Sequence, residues 1–368
     1  MKSASNRQRR TKRVQPGIDS GGREHLDRLQ TGGAVTQSPI SVLGAGSWGT
    51  ALAIRLAVNN NSTWLWGHEP EVMATLARER QNHQFLPGKT FPESLSIEAD
   101  LAQAIRQGRD LLIAVPSHAM REVLTRAAPA LESGSRIAWA TKGLESRSGK
   151  FMHEVLEEVL GTRYPAAVLS GPTFAQEVAA GLPTALTVAS NNPSFANDLA
   201  NRLHGETMRV YTSDDIIGVQ LGGTVKNVLA VAAGISDGLQ LGANSRAALI
   251  TRGLAEIIRL GDALGARRET LMGLAGVGDL ILTCTDDQSR NRRLGLALGR
   301  GTPVEIAVRE IGQVVEGFNT AREVVQLAGN NKVDMPISEQ VFRVLHEGLS
   351  PGEAVHNLLT RDIKAESH

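Results

Sequence analysis

The chain has 368 residues, of which 41% are hydrophobic and 21% are charged, and its formal net charge is +1. These values are those of an ordinary globular protein, and the length is enough to bury two cores, so we expect two domains. The single cysteine, Cys284, excludes an intramolecular disulfide and a cysteine-based metal site. We interpret it as a small core residue, and we expect no metal.

Residues 1–37 differ in composition from the remainder of the chain. They contain eight Lys and Arg but three Asp and Glu, a net charge of +5 that leaves −4 for the remainder. Few large apolar residues are present, so burial cannot offset the entropy of ordering, and we predict a disordered basic tail. Nucleic-acid contact and organelle targeting through its arginines are the alternatives. Because the body is mildly acidic, we expect no nucleic-acid partner.

The sequence also bears on location. It shows no apolar signal-peptide core and no run of the roughly 20 apolar residues that a membrane span needs. We therefore expect a cytoplasmic protein without a membrane span.

From residue 39 to residue 211, short apolar runs alternate with segments of helical spacing. The predicted strands are residues 39–43, 63–66, 110–115, 136–140, 166–170, 185–189 and 208–211. Helices are predicted from the first glycine-rich turn to Asn59, over 71–81 and over 152–160. Strands that alternate with helices predict an α/β fold with a mostly parallel sheet and helices on both faces.

After residue 211 the strand patterns fade. Helical length or spacing is found over residues 214–238, 245–264, 290–299, 320–328 and 338–346. The pattern predicts that an all-α domain follows the α/β domain.

A glycine-rich turn follows the first strand. Gly44, Gly46 and Gly49 form a G-x-G-x-x-G pattern between an apolar strand and a helix, which is the context that a dinucleotide site requires. The first glycine permits the tight turn, the second lets a pyrophosphate approach the backbone, and the third lets the helix pack closely. A glycine-rich turn that binds nothing is the alternative. The arrangement resembles the Rossmann fold, so we predict a dinucleotide-binding Rossmann domain over 38–215 and a helical substrate-binding domain over 216–362.

The end of the second predicted strand bears on the choice of cofactor. His68 stands where it could contact a 2′-phosphate, and Glu69 could bond a ribose 2′-hydroxyl. Either residue could equally lie on the surface of the turn. The choice between NAD and NADP stays open.

Several motifs, spread in a fixed order over most of residues 40–320, carry a specific resemblance. They are Val42–Ala51, Thr141–Leu144, Ser170–Ala175, Gly222–Asn227, Gly276–Leu280, Thr283–Thr285, Ser289–Arg293 and Val315–Gly317. Together they resemble the bacterial-type NAD(P)-dependent glycerol-3-phosphate dehydrogenases. The resemblance implies reversible hydride transfer between NAD(P)H and dihydroxyacetone phosphate, giving sn-glycerol 3-phosphate, a precursor of glycerophospholipids.

The resemblance implies that Lys226 transfers the proton. Taken by itself, a lysine in an apolar helical segment is costly to bury in its charged form, so desolvation would lower its pKa toward the working range of an acid–base group. A lysine whose amine reaches the surface is the alternative. Gly222, Gly223 and Ala230, on the turns next to Lys226, indicate that another group approaches this helix closely.

Two further residues complete the catalytic set that the resemblance implies. Lys142 follows an apolar strand and would stabilise negative charge at the carbonyl oxygen, in contact with both substrate and cofactor. Asp279, after Gly276 and Gly278, would orient Lys226 or a substrate hydroxyl. Read alone, a lysine after a strand is a solvated charge, and an aspartate in a glycine loop is turn chemistry.

Arg290 and Asn291 are the candidates for the substrate phosphate, because a guanidinium fork and an amide supply donors to phosphate oxygens. An exposed basic helix face is the alternative, and it is our interpretation of Arg292 and Arg293. The resemblance implies further substrate contacts at Gly171, Thr173, Lys226, Asn227, Asp279, Thr283 and Ser289. It implies cofactor contacts at Gly44, Gly46, Ser47, Trp48, Gly49, His68, Lys142, Ala175, Arg290, Val314 and Glu316.

Two other functions are compatible with parts of the sequence. One is a related two-domain dehydrogenase that acts on another hydroxyacid or sugar acid. The other is a nicotinamide-binding regulator that contacts nucleic acid through the basic tail, although a regulator needs no proton donor. We expect an enzyme with a phosphorylated small-molecule substrate, assembled as a homodimer.

Overall fold

A computed structural model of the chain describes residues 38–146, 148–363 and 365. The basic segment 1–37, which the sequence predicts to be disordered, lies outside the described residues.

The first half of the described chain is built of strands alternating with helices. The strands are β1 (Ile40–Leu43), β2 (Thr63–Trp66), β3 (Gln81–Asn82), β4 (Leu86–Thr90), β5 (Leu95–Glu98), β6 (Asp110–Ile113), β7 (Arg136–Trp139), β8 (Ala166–Ser170), β9 (Thr184–Ser190) and β10 (Met208–Ser213). The helices are α1 (Ser47–Val58), α2 (Pro70–Glu79), α3 (Leu101–Gln107), α4 (Met120–Ala127), α5 (Met152–Leu160), α6 (Ala175–Ala179) and α7 (Pro193–Leu203). Short 3₁₀ turns lie at Ser117–Ala119 and Ala128–Ala130.

Eight of these strands form one sheet in the order β10-β9-β8-β7-β6-β1-β2-β5. All neighbours are parallel except β8 and β9, which are antiparallel, and this confirms the predicted mostly parallel sheet. At the centre, Ile40 of β1 is in register with Thr63 of β2 and Asp110 of β6. β3 and β4 form a separate antiparallel hairpin.

Both faces of the sheet are covered, because its central strands are apolar on both sides. All four residues of β1 are buried, as are all five of β8. One core packs β1 and β8 against α1 and α7, and the other packs them against α4 and α5. A run that is apolar on both faces is typical of a central parallel strand.

The parallel strands bring the chain segments that follow them to one edge of the sheet. The segments that follow β1, β6, β7 and β8 leave the same edge of the sheet, because these four strands are adjacent and parallel. Gly44 follows β1, Ser117 follows β6, Lys142 follows β7 and Gly171 follows β8.

The second half of the chain is helical. It comprises α8 (Ile216–Gly238), α9 (Gly242–Leu264), α10 (Arg268–Leu271), α11 (Asp279–Thr285), α12 (Arg290–Gly299), α13 (Val304–Ile311), α14 (Glu316–Asn330), α15 (Pro336–His346) and α16 (Pro351–Leu359). One π-helical turn, Leu274–Gly278, precedes α11. The last strand ends at Ser213 and α8 begins at Ile216, which confirms an α/β part followed by an all-α part. The exact domain limits stay a prediction.

Helix α8 is the centre of the helical half. It is buried on all sides from Gly218 to Ser236 and is surrounded by α9, α11, α12, α14 and α15. By length and composition α8 could cross a membrane, and it is the one such helix among the described residues. However, 89% of its most apolar window is buried inside the protein, which is typical of a core helix.

Glycines bring α12 unusually close to α8. A Cβ on Gly295 would lie 2.9 Å from the Cα of Gly234, and a Cβ on Gly299 would lie 2.9 Å from the Cα of Gly238. Each helix presents two glycines four residues apart, so the two backbones meet without intervening side chains. The contact joins the end of α8 to the second half of α12. The two helices run in the same direction there, so the beginning of α12, with Asn291, lies beside Asn227 in the middle of α8.

Candidate active site

The glycine turn between β1 and α1 has the geometry that the sequence predicts. Gly44 has φ +126°, a backbone conformation that other residues rarely adopt, and a Cβ there would lie 2.7 Å from the Ala114 carbonyl oxygen. A Cβ on Gly49 would collide with the carbonyl oxygen of Gly44. A Cβ on Gly46, by contrast, would meet nothing within 4 Å. The turn is therefore closed at Gly44 and Gly49 and open at Gly46.

The start of α1 can receive an anion. Gly46 stands at the N-cap, no side chain of the described residues caps the helix, and the first turn, beginning at Ser47 and Trp48, holds no acidic residue. Free N–H groups and the positive end of the helix dipole are what phosphates bind. The indole N–H of Trp48 is buried without a hydrogen-bond partner among the described residues.

His68 and Glu69 lie at the end of β2 and are exposed. The His68 Nε2 is 3.2 Å from the Glu69 carboxylate, and their side chains are 75% and 59% exposed. Neither is fixed by the fold, so the geometry favours neither a 2′-phosphate nor a 2′-hydroxyl.

Lys142, Lys226 and Asp279 lie together although they are far apart in sequence. Lys226 Nζ is 2.5 Å from Asp279 Oδ1, and Lys142 Nζ is 2.6 Å from Asp279 Oδ2. Asp279, at the first turn of α11, is 1% exposed and Lys226 is 7% exposed. The alternatives of a surface lysine at 226 and turn chemistry at 279 are therefore wrong.

Hydrogen bonds fix the two amines. Lys142 Nζ also donates to the Gly171 carbonyl oxygen at 3.1 Å, which ties it to the end of β8. Lys226 Nζ donates to Thr283 Oγ1 at 3.0 Å, and Thr283 in turn donates to the Asp279 carbonyl oxygen. Lys142 is therefore not a solvated charge, and Thr283 contacts the lysine that we expect to transfer the proton.

Burial lowers the pKa of Lys226 to about 7. The carboxylate of Asp279 opposes this effect, because it favours the charged amine, whereas Lys142 reinforces it. An amine with a pKa near neutrality can both accept and donate a proton. Cys284 follows Thr283 on α11 and is buried. Burial raises the pKa of its thiol to about 12, so the thiol stays neutral in the core.

Two glycines of α8 make room for this cluster, as the sequence indicates. A Cβ on Gly223 would lie 2.7 Å from Ser170 Oγ and 3.6 Å from the aliphatic chain of Lys142. A Cβ on Gly222 would lie 2.9 Å from the Cα of Gly276, in the π-helical turn before Asp279. Gly276 and Gly278 thus belong to a helical turn rather than to a glycine loop.

Asn227 and Asn291 link α8, α12 and α14. Asn291 Nδ2 donates to Asn227 Oδ1 at 2.9 Å, and Asn291 Oδ1 accepts from the Gly317 backbone N–H at 2.9 Å. Both asparagines are buried. The structure brings together the two amides that the sequence predicts for the substrate.

Arg290 and Glu316 are the charged residues that precede Asn291 and Gly317 of this link. Arg290 Nη1 donates to Gln313 Oε1 at 3.3 Å, and burial lowers the pKa of its guanidinium while Glu316 opposes that shift. Burial likewise raises the pKa of the Glu316 carboxyl. A partly buried guanidinium whose side-chain hydrogen bond, among the described residues, is one long contact to an amide is suited to binding an anion.

Sequence reasoning missed Ser117. Its Oγ donates to Glu316 Oε2 at 3.0 Å, so it joins the sheet half to the helical half beside Lys142 and Gly143. Its position after a buried strand and a proline, at the carboxyl edge of the sheet, was the available signal. Gln313, the partner of Arg290, had no such signal.

The remaining predicted residues are Thr173, Ala175, Val314 and Ser289. Thr173 Oγ1 donates to the Gly171 carbonyl oxygen at 3.0 Å, Ala175 begins α6, and Val314 is 43% exposed. Ser289 caps α12, since its Oγ accepts from the Arg292 N–H. A helix cap supports Arg290 and Asn291 in the next two positions.

The interpretation of Arg292 as an exposed charge is wrong. Arg292 is 7% exposed, and its guanidinium pairs with Asp237 at 2.6 Å and with Asp287 at 2.9 Å. On α12 it lies on the side that packs against α8, where a charge must be paired. Arg293, one position further along, is exposed as expected.

The assembled site offers an acid–base amine, a second cation held by the same carboxylate, and a partly buried guanidinium beside two amides. Beside it, the glycine turn contacts Ala114, which precedes Ser117 by three residues. Among the described residues, no group of three or more His, Cys, Asp and Glu could hold a metal ion. Such a site is suited to proton transfer at a carbonyl group of an anionic substrate.

Comparison with known proteins points in the same direction. Residues 39–196 match the N-terminal part, and residues 215–356 the C-terminal part, of the NAD-dependent glycerol-3-phosphate dehydrogenase family. A glycerol-3-phosphate dehydrogenase (NAD(P)+) of Thioalkalivibrio sulfidiphilus (strain HL-EbGR7) is 59% identical over 332 residues, which are 90% of this chain and 100% of that protein. The enzyme of the same name from Shewanella frigidimarina (strain NCIMB 400) is 57% identical over 329 residues, 89% of this chain and 97% of its own.

A solved structure extends the similarity to the fold. The crystal structure of glycerol-3-phosphate dehydrogenase from Coxiella burnetii superposes with a TM-score of 0.86 at 52% identity. The match covers 89% of this chain and 100% of that one.

Proposed function

This chain belongs to the NAD-dependent glycerol-3-phosphate dehydrogenase family, and on that premise we propose that it reduces dihydroxyacetone phosphate reversibly to sn-glycerol 3-phosphate with NAD(P)H. The observation that carries the proposal is the buried Lys226–Asp279–Lys142 cluster, with the pKa of Lys226 near 7. The product would serve as a precursor of glycerophospholipids.

The residues at the glycine turn fit a dinucleotide. The open space at Gly46 and the uncapped start of α1 suit a pyrophosphate, with Ser47, Trp48, Ala175, Val314 and Glu316 as further contacts. A bound nicotinamide ring supplies or accepts the hydride. Lys142 and Arg290 would face both cofactor and substrate.

In the reducing direction, Lys226 donates its proton to the substrate carbonyl oxygen. Asp279 holds the amine in place and stabilises its charged form until the proton leaves. Lys142, held by Asp279 and by the Gly171 carbonyl, stabilises negative charge on the same oxygen. In the reverse direction the neutral amine of Lys226 accepts the hydroxyl proton.

The phosphate of the substrate would be held by Arg290, with Asn291, Asn227, Ser289, Thr173 and Thr283 completing the site. The partly buried guanidinium of Arg290 gains a stronger partner than Gln313 when a phosphate binds. Binding at this remote group orients the carbonyl carbon without taking part in the bond changes.

The experiment that tests the proposal follows nicotinamide absorbance with the purified full-length chain. Dihydroxyacetone phosphate, unphosphorylated dihydroxyacetone and a panel of 2-oxoacids are offered with NADH and with NADPH. We expect turnover with dihydroxyacetone phosphate and a loss of most activity without the phosphate. Absence of activity with both cofactors, or a preferred 2-oxoacid, would refute the proposal.

The same assay decides the preference between NAD and NADP. The geometry of His68 and Glu69 does not decide it, because both side chains are exposed. For location and assembly we propose a cytoplasmic homodimer. Exposed apolar side chains on the helical half, Leu241, Met272 and Ile281, offer surface for self-association.

A further inference from the structure

Asn82 is a buried polar residue that the mechanism above does not use. It lies in the hairpin of β3 and β4, outside the main sheet, and is 1% exposed. Its Nδ2 donates to the Ala45 carbonyl oxygen and to Thr50 Oγ1, both at 2.9 Å, and its Oδ1 accepts from the Phe85 N–H at 3.1 Å. The side-chain amide thus joins the hairpin loop to the glycine turn and to the first turns of α1.

The bond to Ala45 fixes the orientation of one peptide plane. In a planar trans peptide the C=O and the following N–H point in opposite directions, so the Ala45 carbonyl and the Gly46 N–H are coupled. Asn82 holds the carbonyl on the hairpin side. The Gly46 N–H is consequently directed away from the hairpin.

The Gly46 amide is free to bind a ligand. None of the backbone hydrogen bonds found among residues 38–146 uses the Gly46 N–H as donor. The space at Gly46 is also open, since a Cβ there would meet no atom within 4 Å. An N–H at the start of a helix, facing open space, is a donor for a phosphate oxygen.

Asn82 is the principal anchor of this peptide plane. Thr50 Oγ1 also approaches the Ala45 carbonyl oxygen, but at 3.4 Å this contact is longer than a good O–H···O hydrogen bond. Without Asn82 the Ala45 carbonyl would keep only that weak partner. The peptide plane could then rotate and turn the Gly46 N–H away from the phosphate.

We propose that Asn82 is a positioning residue of the dinucleotide site, which presets the Gly46 N–H for the pyrophosphate by anchoring the Ala45 carbonyl. This inference rests on the proposed function, because it requires that the glycine turn binds a nicotinamide dinucleotide. It assigns to the β3–β4 hairpin a part in cofactor binding.

The test compares Asn82→Asp with Asn61→Asp. Asn82→Asp keeps the acceptor for the Phe85 N–H but loses the N–H donors to Ala45 and Thr50. Because its carboxylate also adds negative charge beside the phosphate site, the uncharged pair Asn82→Ala and Asn61→Ala is measured as well. Asn61 is a matched control, since it is 2% exposed and its Nδ2 donates to the carbonyl oxygens of Leu56 at 2.9 Å and Arg202 at 3.2 Å, on the far end of α1 from the turn. The Kd for NADH, the KM for dihydroxyacetone phosphate, kcat and Tm are measured for both and for the wild type.

We expect Asn82→Asp to raise the Kd for NADH about tenfold relative to Asn61→Asp, which corresponds to the loss of one good hydrogen bond. At saturating NADH, kcat and the KM for dihydroxyacetone phosphate should change less than about twofold. Both variants should lower Tm to a similar extent. Equal Kd values for the two variants would overturn the proposal.

Two safeguards keep the test decisive. The Ala pair carries the same expected difference and the same contradicting result, and it decides the test alone if Asn82→Asp does not fold. If the wild type itself neither binds NADH nor turns over, the proposed function has failed. The role of Asn82 fails alone when the wild type is active and the Asn82 variants bind NADH like their controls.

Discussion

The chemistry of the site depends on one carboxylate shared by two amines. A buried ammonium is costly unless it is paired, and here a single Asp279 pairs with both Lys142 and Lys226. When both amines are protonated the cluster carries a net charge of +1, and release of one proton makes it neutral. The more buried amine, Lys226, is the one that burial drives to release its proton near neutral pH.

This arrangement predicts a pH dependence with opposite signs in the two directions. Reduction needs the protonated amine of Lys226, so kcat/KM for dihydroxyacetone phosphate should fall as pH rises through about 7. Oxidation of glycerol 3-phosphate needs the neutral amine, so its kcat/KM should rise over the same range. Asp279→Asn removes the group that raises the pKa of Lys226, and both transitions should move to lower pH.

The matched control is Asp237→Asn. Asp237 also pairs with two cations, Arg246 and Arg292, but at the far end of α8. Its replacement should lower Tm and leave the pH profile where it was. Profiles of the Asp279→Asn enzyme that coincide with those of the wild type would show that Asp279 does not tune Lys226.

Sequence reasoning predicted the residues with chemical signatures and missed those defined by contacts. Lys226 in an apolar segment and Asp279 after two glycines could be selected from local pattern together with family resemblance. Asn82 could not, since its partner Ala45 lies 37 positions away, and the position of Ser117 after a strand gave no sign of its partner Glu316, 199 positions away. Arg292 was misread for the same reason, because its partner Asp237 is 55 positions away.

Among the elements, the α8–α12 pair determines how precisely the substrate groups are held. Lys226 and Asn227 are on α8, Arg290 and Asn291 are on α12, and the two helices meet through the glycines Gly234, Gly238, Gly295 and Gly299. A side chain at these positions would push α12 outward and carry Arg290 with it.

Gly295→Ala should therefore destabilise the protein by about 1–3 kcal/mol, the usual cost of overpacking a close contact. A Cβ there would collide with the Val231 carbonyl oxygen, which is backbone and cannot move freely. Gly329→Ala in α14, where a Cβ meets nothing within 4 Å, is the control and should be neutral or slightly stabilising. Denaturant unfolding measures both, and equal free energies of unfolding would contradict the account of this contact.

At the level of elements, prediction succeeded where the pattern was strong. β2, β8, α5 and α12 were predicted with the limits that the structure has. The hairpin was missed because β4, Leu86–Thr90, contains Pro87 and Gly88, which disfavour strands, and it is formed only by pairing with β3. The antiparallel direction of β9 was also not foreseen, because periodicity carries no information on direction.

At the scale of the molecule, alternation of strands and helices was sufficient to predict the fold class. It also placed Gly44 and Lys142 at one edge of the sheet, since both follow predicted parallel strands. The alternation of strands and helices could not predict how the helical half contacts that edge of the sheet. The two halves are joined there by hydrogen bonds from Lys142 to Asp279 and from Ser117 to Glu316. Each bond links residues more than a hundred positions apart in sequence.

The central claim is that Lys226, in the helical half, transfers the proton that accompanies hydride transfer from a cofactor bound by the sheet half. The most direct test uses NADH deuterated at C4 with dihydroxyacetone phosphate, and compares the wild type with Lys226→Met. The wild type should place deuterium on C2 of glycerol 3-phosphate, and Lys226→Met should do so at least about 100-fold more slowly, with its Kd for NADH unchanged. Deuterium transfer by Lys226→Met at the wild-type rate would contradict the account.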